Sequence, residues 1–137
     1  MKTLKNLTLL SCLVLGLSLL TFSCKKDKAA PISIIGTSVG TYDYTGDNIP
    51  FYVSFTLNAD NTLQAIIYNS FSLQNVNGSG TYSLTANNTF DASVTTGGAF
   101  QPLSFTGTFN STTGIIEGTW GYTPSKTNGG MWTMTKQ

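Results

Sequence analysis

The chain has 137 residues, 40% of them hydrophobic and 9% charged, with a formal net charge of +1 and no histidine. That length fits one domain. Its basic residues are all lysine, and from Ile32 onward only Lys126 and Lys136 remain against Asp43, Asp47, Asp60, Asp91 and Glu117, so the body lacks the basic footprint that nucleic-acid binding needs.

The first element is an export signal. Lys2 and Lys5 open it, an uncharged Leu-rich run from Asn6 to Ser23 follows, and Lys25, Lys26 and Lys28 come just after Cys24. A basic start, an apolar middle and small residues at a cut site make a targeting segment, separate from the fold. Thr21 and Ser23 would suit an ordinary signal peptidase, releasing a soluble chain that begins at an unmodified Cys24. The uncharged run is also long enough to span a bilayer uncleaved, although lysines on both flanks run against the one-sided charge of a retained span.

The stretch from Leu20 to Cys24, with Ser23 before the cysteine, resembles the signal of bacterial lipoproteins; Thr21 and Phe22 depart from that family's usual box. The resemblance covers the first 28 residues or so. It implies a signal peptide at 1–23, a Cys24 lipidated by transfer of diacylglycerol to its thiol and carrying fatty acyl chains such as palmitate, and a lipid-anchored tether at 24–35. Each buried methylene contributes ~0.8 kcal/mol, so two or more chains hold stably. Lys25 is not the aspartate that retains such proteins at the inner membrane, which implies the outer membrane of the cell envelope, periplasmic or surface-exposed. With Cys12 in the signal and Cys24 acylated, no thiol is left for a disulfide or a metal.

Beyond the tether, residues 36–137 show two-residue alternation and no helical periodicity, the pattern of half-buried strands. Residues 51–57 carry apolar side chains at odd positions and 89–95 at even ones; Leu103, Phe105, Gly107 and Phe109 continue the pattern, as do Ile116, Gly118 and Trp120. A repeat offset by 27 residues aligns Phe55–Leu63 with Tyr82–Phe90, and a third turn, Asn110–Gly114, falls a further 27 on. Asn, Asp and Gly gather there because they tolerate the positive φ of tight hairpins. Three hairpins are predicted, pairing 51–57 with 62–69, 79–85 with 89–96, and 102–109 with 114–121, flanked by strands near 37–45 and 129–136. Residues 70–78 are too apolar for a free loop and either extend the third strand or cover one barrel end.

Eight antiparallel strands in sequence order can close first on last and remove their edges. The predicted fold is an all-β, eight-stranded up-and-down barrel, with a two-sheet β-sandwich as the alternative. Gly-Thr-aromatic recurs at Gly40-Thr41-Tyr42, Gly80-Thr81-Tyr82, Gly107-Thr108-Phe109 and Gly118-Thr119-Trp120, and in-strand glycine marks sharp bends or close packing. On these spots the chain resembles avidin-like and small lipocalin-like barrels in architecture. Counterparts of the polar residues with which avidins hold biotin are missing, so biotin binding does not carry over.

The expected inward set runs from Tyr42, Tyr44 and the odd positions 51–57 through Leu63, Ala65, Ile67, Tyr82, Leu84, Phe90 and Val94. It ends with Leu103, Phe105, Phe109, Ile116, Trp120, Trp132 and Met134. An eight-stranded barrel either fills with side chains or holds one small ligand. If it holds a ligand, the expected pocket is apolar and lined by Tyr42, Tyr44, Phe55, Tyr82, Phe105, Trp120 and Trp132, with polar ring tips orienting the guest. The loop from Gly121 to Gly130, between the two tryptophans, is the expected rim.

Catalysis has little to draw on. Without histidine, arginine or a free thiol, His-assisted triads and the common zinc sites are excluded, and Asp43 and Asp47 read as solvated carboxylates. No catalytic residue, metal or cofactor is assigned. The expected function is non-enzymatic capture of a small hydrophobic ligand by an anchored barrel. The alternative is a filled barrel that serves as a structural or docking module for another envelope protein.

Overall fold

A computed structural model describes residues 29–47, 49–69, 72–97 and 101–137. The signal segment, Cys24 and the tether up to residue 28 lie outside the described residues.

Eight strands run in chain order: β1 (Gly36–Tyr42), β2 (Phe51–Leu57), β3 (Thr62–Asn69), β4 (Gln74–Leu84), β5 (Thr89–Thr96), β6 (Leu103–Asn110), β7 (Ile115–Tyr122) and β8 (Gly130–Lys136). Each pairs antiparallel with the next, and β1 closes on β8 from Ser38↔Lys136 to Tyr42↔Trp132. The molecule is thus a closed up-and-down barrel without sheet edges, and the sandwich alternative does not form. Even residues face inward on β1, β4, β5, β7 and β8 and odd ones on β2, β3 and β6, as the burial alternation shows.

Two boundaries move. The fourth strand begins at Gln74, five residues before the expected start, because Tyr68↔Asn75 and Asn69↔Gln74 extend its pairing with β3. Its polar outward residues Asn75 and Asn77 hid that stretch. The first strand ends at Tyr42, but Asp43 N still donates to Met131 O (3.0 Å) and Thr45 N to Gly129 O (2.7 Å), so the seam with β8 continues without regular pairing.

The repeat has a geometric meaning. Its three turns all lie at one end of the barrel, and Asn61, Asn88 and Gly114 adopt φ of 66°, 61° and 73°. The carbonyl of each accepts a backbone N–H from the strand after next: Asn61 from Tyr82, Asn88 from Phe109 and Gly114 from Lys136, all at 2.9 Å. Three equivalent turns thereby lock three neighbouring strands in register. The connections at the other end, between β1 and β2, β3 and β4, β5 and β6, and β7 and β8, are unlike one another.

Glycine at the Gly-Thr-aromatic positions is a packing requirement. A Cβ on inward-facing Gly118 would fall on the Thr106 carbonyl oxygen, and one on its partner Gly107 on that of Glu117; Gly40 and Gly80 meet Thr133 and Ser93 in the same way. The wall curls inward at these points, which tightens the barrel around its rings.

The turn-locked half is solid. Trp132 sits among Phe55, Phe90 and Phe105 at centroid distances of 6.1, 5.7 and 5.6 Å, and its Nε1 donates to the carbonyls of Thr119 (2.9 Å) and Thr106 (3.2 Å). Leu57, Leu63, Ile116 and Met134 complete it, all at 1% exposure or less. Each such side chain contributes roughly 1.5–3 kcal/mol on burial. Ile34, from the tether, is buried there too, whereas Leu84, expected inside, is 36% exposed because it ends β4 at the rim.

Candidate functional site

The opposite half is not filled. A cavity of about 180 Å³ opens at the end where β1, β3, β5 and β7 finish, lined by Tyr42, Tyr44, Ile67, Asn69, Val76, Thr96, Gln101, Leu103, Phe105, Trp120 and Tyr122. The alternation that packs the other half delivers these residues: each of β3, β5 and β7 runs one inward step past its last core position, to Asn69, Thr96 and Tyr122. Trp120 is the hub of the wall. Tyr42 and Tyr44 each meet it edge-to-face at 5.2 Å, with interplanar angles of 88° and 75°, and Tyr122 meets it at 5.6 Å and 69°.

Of the seven expected lining residues, Tyr42, Tyr44, Phe105 and Trp120 come together here. Phe55 and Trp132 lie deeper, in the ring cluster that forms the floor. Tyr82 is at the far end, stacked on Phe90 and donating its hydroxyl to Asn58 O at 2.7 Å. The reason is axial: inwardness follows from alternation, but height along the barrel depends on how the strands stagger. Tyr122, Thr96 and Asn69 were legible from alternation carried one step further, and Val76 was hidden by the misplaced start of β4. Gln101, just before β6, carries no signal in the sequence.

The polar atoms of the wall are arranged around the rings. Tyr42 donates to Tyr68 O at 2.5 Å, and Trp120 Nε1 to Asp43 O at 2.7 Å. The Tyr44 side chain hydrogen-bonds to those of Tyr42 and Tyr122. Burial, then the neighbouring Tyr44, holds the Tyr42 phenol far above its ordinary range and raises that of Tyr122, so both stay neutral hydrogen-bonding groups at any physiological pH. Among the described lining residues none is charged. The wall can hold and orient a guest through its rings and polar tips.

Of the Gly121–Gly130 connection expected as the rim, Tyr122 lines the cavity and residues 123–129 do not. That segment folds back over the outer wall, where Thr123 Oγ1 meets Ser104 Oγ at 2.8 Å and Lys126 pairs with Asp91 at 2.5 Å. Its Gly129 instead presses on the Trp120 indole from behind. The two carboxylates read as solvated also serve the backbone: Asp43 accepts from Met131 N at 2.7 Å and Asp47 from Ile49 N at 3.1 Å. A second, shallower depression of about 410 Å³ is bordered by Thr41, Asp43, Glu117, Met131, Trp132 and Thr133, among others.

No protein-family model, no curated protein and no solved structure matches the chain.

Proposed function

We propose that the protein is a lipid-anchored capture module of the cell envelope, held by an acylated Cys24 and binding a small hydrophobic molecule in the mouth of its barrel. One observation carries the binding reading: half of the interior is packed solid, while the other half leaves an aromatic-walled cavity. A barrel built only as a spacer or docking surface would gain stability by filling that half, since an empty apolar cavity forfeits contacts. The anchor rests on the residues around Cys24, and it would place the capture site at a membrane surface.

Two measurements test the two parts separately. Intact mass of the exported protein should show loss of residues 1–23 and added acyl chains on Cys24; an unmodified mature chain would remove the anchor and leave the cavity untouched. Titration with a panel of small apolar molecules should change the tryptophan fluorescence, because Trp120 lines the site. An unresponsive spectrum across the panel would end the capture reading and return the barrel to a docking or structural role.

A further inference from the structure

We infer that the guest is an uncharged, flat molecule of one or two fused rings with a hydrogen-bonding group on one edge, an inference that rests on the capture function proposed above. Charge is excluded first. The described lining residues are neutral, and an ionised guest moved from water into such a wall would lose several kcal/mol of hydration without a counter-charge. Asp43, whose carbonyl bonds Trp120, is not on the lining, and its carboxylate accepts from Met131 N.

Shape is the second restriction. On one side stand Trp120, Tyr42 and Tyr44, their planes crossed at 65° to 88°. Rings set this way are rigid, and they offer a flat guest a face to lie on and an edge to abut. Across the barrel from Trp120, Ile67 on β3 and Val76 on β4 make an aliphatic wall. A slot between an aromatic wall and an aliphatic one suits a plate better than a flexible chain, which would give up rotamer freedom to enter.

Size and polarity complete the description. Apolar cavities of about 150 Å³ take benzene, so about 180 Å³ with an open mouth accommodates one ring fully or two fused rings in part. Thr96 is only 7% exposed yet faces this cavity, with Gln101 also on the lining. Polar side chains set in a mainly apolar wall favour a guest whose own polar edge can reach them.

The test is calorimetric titration of the purified full chain with three probes: 2-naphthol, naphthalene-2-sulfonate and 1-octanol. Binding of 2-naphthol should lie in the micromolar range, with the other two at least about tenfold weaker. Equal binding of the sulfonate would overturn the neutral requirement. Octanol binding as tightly as naphthol, or alone, would sink the ring requirement while leaving the capture function standing; silence from all three would take both down. Filling the slot with Val76→Trp or Thr96→Phe should abolish the naphthol signal with the barrel still folded. Unchanged naphthol binding in both variants would locate it elsewhere and overturn the assignment.

Discussion

Trp120 Nε1 donates to the main-chain carbonyl of Asp43 at 2.7 Å across a sequence separation of 77 residues. The bond leaps over the start of β8 to tie β7 to the end of β1, and it is possible because residue 130 is glycine: a Cβ there would fall on the same carbonyl oxygen. The hub of the cavity wall is therefore also the clasp of the barrel's closing seam. Replacing Trp120 by Phe should leave that buried acceptor without its donor and cost about 1–3 kcal/mol. Gly130→Ala should cost a similar amount by pushing Asp43 away. Urea unfolding of both variants checks this, and a double variant losing less than the sum of the singles would show that they act on one clasp.

The inward glycines make a sharper prediction. Gly118→Ala places a methyl against the Thr106 backbone, which no side-chain rotation can relieve, so it should destabilise by about 1–3 kcal/mol. Gly97→Ala, with nothing within 4 Å of the added atom, should stay within about 0.5 kcal/mol of the parent. Comparing the two by denaturant midpoint separates the geometric requirement from the general entropy cost of glycine.

Alternation named the strands, their faces and most of the core because burial on one side of a pleat writes itself in period two. Closure was legible too, since eight strands in meander order leave two edges that stabilise each other. What stayed hidden depends on distances that alternation does not encode. Trp132 and Trp120 are both inward aromatic residues on adjacent strands, yet one fills the core and the other walls the cavity, because stagger lifts them to different heights. The Gly121–Gly130 connection looked like an open rim by composition; Tyr122 does line the cavity, but the Lys126–Asp91 and Thr123–Ser104 contacts show the rest folded outward.

Alkaline pH should weaken the barrel through its buried phenols. Burial, then Tyr44, raises the Tyr42 pKa above its unfolded value, and Tyr122 moves the same way. For a group raised on folding, the stabilisation is complete below the unfolded pKa, about 10 for tyrosine, and is lost as pH climbs from there toward the folded value. Urea midpoints should therefore hold steady up to about pH 9.5 and then fall. Tyr42→Phe should lower the neutral-pH plateau by about 0.5–1.5 kcal/mol, through loss of the bond to Tyr68 O, and make the alkaline decline shallower. A decline of unchanged slope in that variant would assign the effect to other groups.

The proposed anchor and the point where the chain enters the barrel together give a testable expectation for the mouth. Ile32 N donates to Ser111 O at 2.7 Å, and Ile34 is buried, so the described tether joins the barrel at its turn-locked end, opposite the cavity. With Cys24 as the proposed lipid site, residues 24–31 reach about 25 Å when fully extended, roughly the length of a seven- to eight-residue strand. Under the proposed anchor, the expectation to test is that the packed end faces the bilayer and the mouth the aqueous side. On protein anchored to vesicles, a fluorophore at Thr112→Cys, in the turn beside Ser111, should be quenched by spin-labelled lipid headgroups. One at Leu73→Cys, on the connection at the mouth and 71% exposed, should escape. Releasing the chain with Cys24→Ser should abolish the quenching at residue 112. Equal quenching of the two anchored forms would mean that the barrel lies on its side, and stronger quenching at residue 73 that it inverts; either result overturns the expected orientation.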